Sequence, residues 1–321
     1  MCQNVLQYVS DYIDRVERHI RSTTQREIHI HVGFCANDDI NAFAAKVSPE
    51  TYLIGINTGA ITMLLQIYHA IYFEFPKLCS QINLDQFPGI VDKKFARAQP
   101  LSMLSILAAL HFLISHEIGH IVYGHTDLLR DKFNVIDEIY LLEATHETRH
   151  PLISSFLFQA METEADFFGN SSVVLAIGKK GTLCGVCFDN YLSRRELYRI
   201  SSIAILIMFH AFYGTDVNLH LSDYTVGSHP VPELRLFEFW DRTELIQKDL
   251  PSKLTEGDFT QWALEEVVDC LSEEWGRSLF PVLMTNGRKL IAEIARLRDN
   301  KERLSKELSN YRLLPNGGVV F

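Results

Sequence analysis

Positive charge is in short supply in this 321-residue chain: 30 Lys and Arg stand against 40 Asp and Glu, a formal net charge of −10. Nucleic acid needs a basic footprint to meet its phosphates and anionic lipid attracts basic surfaces, so neither is expected as a partner. A long apolar run is also missing. The strongest, within Leu101 to Tyr123 (LSMLSILAALHFLISHEIGHIVY), runs for only about ten residues before His111, against the roughly 20 of a spanning helix. No integral membrane segment is expected. The first 24 residues carry polar and acidic groups throughout, with no basic start leading into an apolar block. They read as an amphipathic helix rather than a secretory signal, and a cytoplasmic location follows as an expectation. The six cysteines (Cys2, Cys35, Cys79, Cys184, Cys187, Cys270) are scattered and imply no oxidising compartment. Cys184 and Cys187 have the spacing of half a zinc knuckle, but no second CxxC completes it. No long internal repeat is visible.

What the chain does have is apolar mass: 47% hydrophobic residues at this length can bury a substantial core. Glu27 to Phe34 (EIHIHVGF) alternates Ile28, Ile30, Val32 and Phe34 with Glu27, His29 and His31, the period of a half-buried strand whose histidines share a solvated face. Thr51 to Asn57 (TYLIGIN) is a second strand, following Asn41-Ala42-Phe43-Ala44, and the region reads as a small antiparallel sheet. Helices are expected from Thr58 to Phe75, through Leu101 to Tyr123, after Pro151, around 190 to 213, from about 230, and from Phe259 onward. Leu290, Ile294, Leu297, Leu304 and Leu308 make a heptad-like stripe interrupted by Lys301, which favours a helix packed on its own domain over a dimer seam. The C-terminal region could nonetheless serve a helical partner or self-association. The expected fold is α+β and mainly helical, with a domain over 1–245 and a C-terminal helical extension over 246–321.

Chemistry enters at His116-Glu117-Ile118-Gly119-His120. On a helix, positions i and i+4 lie about 40° apart, so His116 and His120 can present two imidazoles to one ion. Glu117 is then placed to take a proton from a water activated beside that ion. A catalytic zinc needs a third protein ligand and an open position. The extended metzincin motif would require glycine and histidine three and six residues after His120, where Tyr123 and Thr126 stand. His125 and His111 lie on the far side of the helix, about 160° from the pair, and read as packing or capping residues. Glu162 is the better candidate for third ligand. It shares a helix face with Asp166, whereas Glu164 points about 160° away. Asp166 could fix the tautomer of a ligand histidine. Taken alone, Met161 to Asp166 (METEAD) would read as an ordinary solvated acidic face; beside an HExxH helix it reads as the rest of a metal site.

HEIGHIVYGH followed by ETEAD resembles the paired signatures of gluzincin peptidases, specifically the HtpX and CAAX prenyl protease group with its soluble minigluzincin relatives. Asn41-Ala42-Phe43-Ala44 with TYLIGINTGAITML resembles that group's edge strand and the element after it, and Ser228-His229-Pro230 with Arg235 resembles its late motif. The four segments keep the group's order over residues 41 to 235. The resemblance implies a zincin-like fold in which His116, His120 and Glu162 bind zinc, Glu117 is general base and Asp166 orients a ligand. His229 would donate to the oxyanion, supported by Arg235. Asn41 and Ala42 would offer edge-strand backbone to an extended peptide.

The expectation that follows is a soluble zinc endopeptidase acting on an intracellular polypeptide. The alternative is a metal-binding regulatory or scaffold protein that keeps the site for its fold. Hydrolysis of a non-peptide amide is a third reading.

Overall fold

The computed structural model describes residues 2–75, 82, 84, 98–133, 155–213, 235 and 287–314. In chain order these form α1 (Cys2–Thr24), β1 (His29–Cys35), β2 (Ala42–Lys46), β3 (Thr51–Asn57), α2 (Thr58–Glu74), α3 (Ala98–Val122), α4 (His125–Phe133), α5 (Ser155–Lys180), β4 (Thr182–Leu183), β5 (Val186–Cys187), α6 (Arg194–Tyr213) and α7 (Gly287–Leu308). The result is α+β and mostly helical. The 245/246 boundary and the helix expected near 230 lie outside the described residues.

Helix α1 is amphipathic, burying Tyr12, Ile13, Val16 and Ile20 at helical spacing. Strand order in the first sheet is β1-β3-β2, with β1 parallel and β2 antiparallel to β3. This corrects the antiparallel expectation: the sheet is mixed. The chain leaving β1 passes β3 and enters on its far side, held there by the Asn37 carbonyl, which accepts from the Gly59 N–H at the start of α2. β3 is consequently central, with Tyr52, Ile54 and Ile56 fully buried. In β1 the expected alternation holds for Ile28 and Ile30 and leaves His29 and His31 exposed. It fails at Phe34, whose side chain is also exposed.

Helix α3 is the axis of the molecule. By length and apolarity it could cross a membrane, yet nearly all of it is covered by protein. A helix apolar all round belongs in a core, and α2, α5, α6 and the sheet pack around this one. In the apolar stripe of α7, Leu297, Leu304 and Leu308 are buried, the last two in a satellite core with Phe43, Leu128, Leu129, Phe158 and Met161. The stripe thus packs within its own chain. Cys184 and Gly185 occupy the two-residue turn between β4 and β5 with φ of 45° and 73°, the left-handed pair a type I′ turn demands. One CxxC thiol is buried and the other exposed, so the motif is a hairpin turn.

Candidate metal centre

The site is built where α3 and α5 cross at close range. A Cβ added to Gly119 would lie 3.0 Å from Phe168 Cβ and 3.1 Å from Ala165 Cα, so the two backbones approach because Gly119 and Ala165 are small. Glu162 and Asp166 flank Ala165 on α5, while His116 and His120 flank Gly119 on α3. The crossing thereby turns both pairs toward one point.

Nε2 of His116 and Nε2 of His120 lie 3.1 Å apart. The Glu162 carboxylate reaches both, with Oε2 3.3 Å from His116 Nε2 and Oε1 3.3 Å from His120 Nε2. With one ligand atom taken from each residue, the three lie within 4.8 Å of one another, close enough to share one metal ion. Among the described residues this is the one group of three or more His, Cys, Asp or Glu side chains spaced to hold a metal ion. Two imidazoles and a carboxylate are a donor set that could hold a metal ion.

Each imidazole is held from behind. His116 Nδ1 lies 2.9 Å from Asp166 Oδ1. Asp166 in turn accepts two 2.7 Å hydrogen bonds from Arg235 Nε and Nη2, and that guanidinium lies over the Phe209 ring at 4.2 Å. Burial raises the Asp166 pKa, but Arg235 and His116 outweigh it and hold the carboxyl below its ordinary value. Burial alone would lower the His116 pKa; Asp166 and Glu162 outweigh it and hold it above the usual value. Burial holds His120 well below it, with His116 and His125 adding in the same direction.

His125 was expected to point away from the pair, and the structure corrects this. Helix α3 stops at Val122, Gly124 takes a left-handed φ of 80°, and α4 starts afresh at His125. The wheel that sent His125 to the far side assumed an unbroken helix. In the fold its Nδ1 lies 3.1 Å from His120 Nδ1, and its Nε2 3.2 Å from Glu164 Oε2. Glu164, which does point away from the ligand triangle, also accepts a 2.7 Å hydrogen bond from Arg312 Nη2. The sequence signal for the break was there to be used: a glycine at the end of an apolar helix. Arg312, 148 residues from Glu164, left no such signal.

Of the other expected site residues, Glu117 is buried on α3 beside His116. Arg235 reaches the site through Asp166 in a buried pair rather than at the surface. Asn41 is buried just before β2, its carbonyl accepting from the Asn57 N–H, and Ala42 opens that edge strand. His229 lies outside the described residues. His111 is buried away from the triangle, contacting Tyr8, Ser172 and the Cys184 amide. The chain matches no protein-family model and shows no significant similarity to any curated protein or solved structure.

Proposed function

We propose that the chain is a zinc-dependent endopeptidase with a zincin-like fold. The observation that carries this reading is the buried triangle of two imidazole nitrogens and a carboxylate at 3.1–3.3 Å, on an HExxH helix. His116, His120 and Glu162 would hold zinc, which when bound supplies Lewis-acid polarisation of a carbonyl and lowers the pKa of water. Two neutral imidazoles and one carboxylate leave a +1 centre with room for a fourth ligand, the composition of catalytic rather than closed structural sites.

The remaining chemistry belongs to side chains. Asp166, accepting at His116 Nδ1, keeps the Nε2 lone pair free, and Arg235 holds Asp166 ionised. Glu117, one residue from a ligand and buried with it, is the base that takes a proton from the attacking water and returns it to the leaving amine. His229 is the proposed donor to the oxyanion. Asn41 and Ala42, at the start of β2, are the proposed contacts of an extended peptide substrate. A polypeptide inside the cell is the proposed substrate.

The test is to quantify zinc in the purified protein and compare cleavage of unstructured polypeptides by wild type and Glu117→Gln. One zinc per chain with cleavage lost by at least about a hundredfold in the variant is the expected result. Absence of stoichiometric zinc after loading would sink the proposal. Bound zinc with no Glu117-dependent cleavage would replace it with a scaffold role.

A further inference from the structure

We infer that His125, Glu164 and Arg312 form a positioning relay that sets the tautomer and orientation of His120, making the C-terminal segment a working part of the metal centre. The inference rests on the proposal that His116, His120 and Glu162 hold zinc. Its argument is hydrogen-bond logic. Glu164 is ionised, accepting at Oε1 from Arg312 Nη2, so its Oε2 can only accept at 3.2 Å from His125 Nε2. A neutral His125 with its proton on Nε2 presents Nδ1 as an acceptor. The 3.1 Å contact between the two Nδ1 atoms is then donated by His120, whose Nε2 is left with a lone pair aimed at His116 and Glu162. The reverse polarity would put a proton on His120 Nε2 and disable it as a ligand.

The relay parallels the other ligand's support with one extra imidazole. His116 is backed by Asp166 and Arg235; His120 is backed by His125, Glu164 and Arg312. Arg312 is held in place by the chain around it. The Leu313 N–H donates to Val122 O at 2.9 Å, Leu313 and Leu314 are buried, and the Arg312 guanidinium lies over the Tyr123 ring at 5.2 Å. A Cβ at position 124 would sit 2.5 Å from the Tyr311 backbone, so glycine there admits the same segment that its left-handed turn serves by aiming His125. One stretch, Tyr311 to Leu314, thus seals the end of α3 and charges the relay.

Zinc affinity, measured by competition with a chromophoric chelator, and the visible spectrum of the cobalt-substituted protein test this on the full chain. The comparison includes wild type, Glu162→Ala, His125→Phe, Glu164→Gln, Arg312→Met and Arg312→Lys. The expected result is a zinc Kd weakened by roughly 10–100-fold in His125→Phe and Glu164→Gln, with an altered cobalt spectrum. Arg312→Met should weaken it less, and Arg312→Lys should recover much of the loss. Where His125→Phe fails to fold, Glu164→Gln decides by the same readouts. Wild-type affinity and spectrum in the folded relay variants, beside loss of binding in Glu162→Ala, would overturn the relay and leave the zinc site standing. A wild type that binds no zinc, or binding indifferent to Glu162→Ala, would overturn both.

Discussion

His111 occupies a buried polar pocket that a neutral imidazole satisfies and an imidazolium does not. Its Nδ1 accepts from the Cys184 N–H at 3.2 Å, so the proton belongs on Nε2, which faces Tyr8 Oη and Ser172 Oγ at 3.0 and 3.1 Å. Protonating Nδ1 would set two N–H groups against each other in a buried site. Burial pushes the His111 pKa down to about 3, from 6.5 in an exposed ring. Between those values the unfolded chain binds a proton that the folded chain refuses, so stability rises with pH across that window and falls as the solution is acidified through it. The slope is at most about 1.4 kcal/mol per pH unit. Urea denaturation of wild type and His111→Gln between pH 4 and 6.5, both in EDTA so that metal linkage drops out, should show a shallower pH slope in the variant. Equal slopes would mean that His111 already titrates in the folded state. At this scale the sequence was readable wherever a helix ran unbroken: the i, i+4 spacing of His116 with His120 and of Glu162 with Asp166 placed four side chains correctly on two faces. The same arithmetic misplaced His125, because one left-handed residue, Gly124, restarts the count.

At the scale of elements, the α3–α5 crossing decides whether His116 and His120 meet Glu162 and Asp166. Gly119 and Ala165 let the backbones approach, and the nearest atoms to a Cβ on Gly119 include the Ala165 Cα and carbonyl, which no rotamer change can move aside. Gly119→Val should therefore push the helices apart. The overpacking should cost about 1–3 kcal/mol, read as a lower urea midpoint with an unchanged m-value. Because His116 and His120 sit on one helix and Glu162 on the other, zinc affinity should fall in the same variant. A variant as stable as wild type and binding zinc equally well would show that the crossing is looser than its contacts indicate. Element types were legible from apolar periodicity, and the satellite core around Leu304 and Leu308 follows from the stripe on α7. Strand order was not legible. Alternation within β1 and β3 tells which face is buried but carries no information on which neighbour each strand takes, and the passage of residues 36–41 beyond β3 is fixed by tertiary contacts at Asn37.

Across the whole molecule, the centre draws on groups that no local pattern unites: Arg235 on Asp166, and Arg312 on Glu164. A lone arginine in sequence does not announce which carboxylate it will meet, so these pairs appear only with the fold. The same dispersal sets how metal should couple to stability. The proposed ligands come from two helices separated by the segment between α4 and α5, and in the unfolded chain Glu162 is detached from the histidines, so zinc should bind the native state far better than the unfolded one. Such a ligand stabilises by RT ln(1 + [L]/Kd), about 4 kcal/mol when free zinc is 1,000 times Kd. For a protein of this size that corresponds to a rise in Tm on the order of 5–10 °C. Chelation should reverse it, and readdition of zinc should restore it. In Glu162→Ala the melting curve should lose this dependence, since two histidines alone hold the ion weakly. A wild-type Tm that ignores both chelator and added zinc would show that the triangle on α3 and α5 is held together by its hydrogen bonds alone.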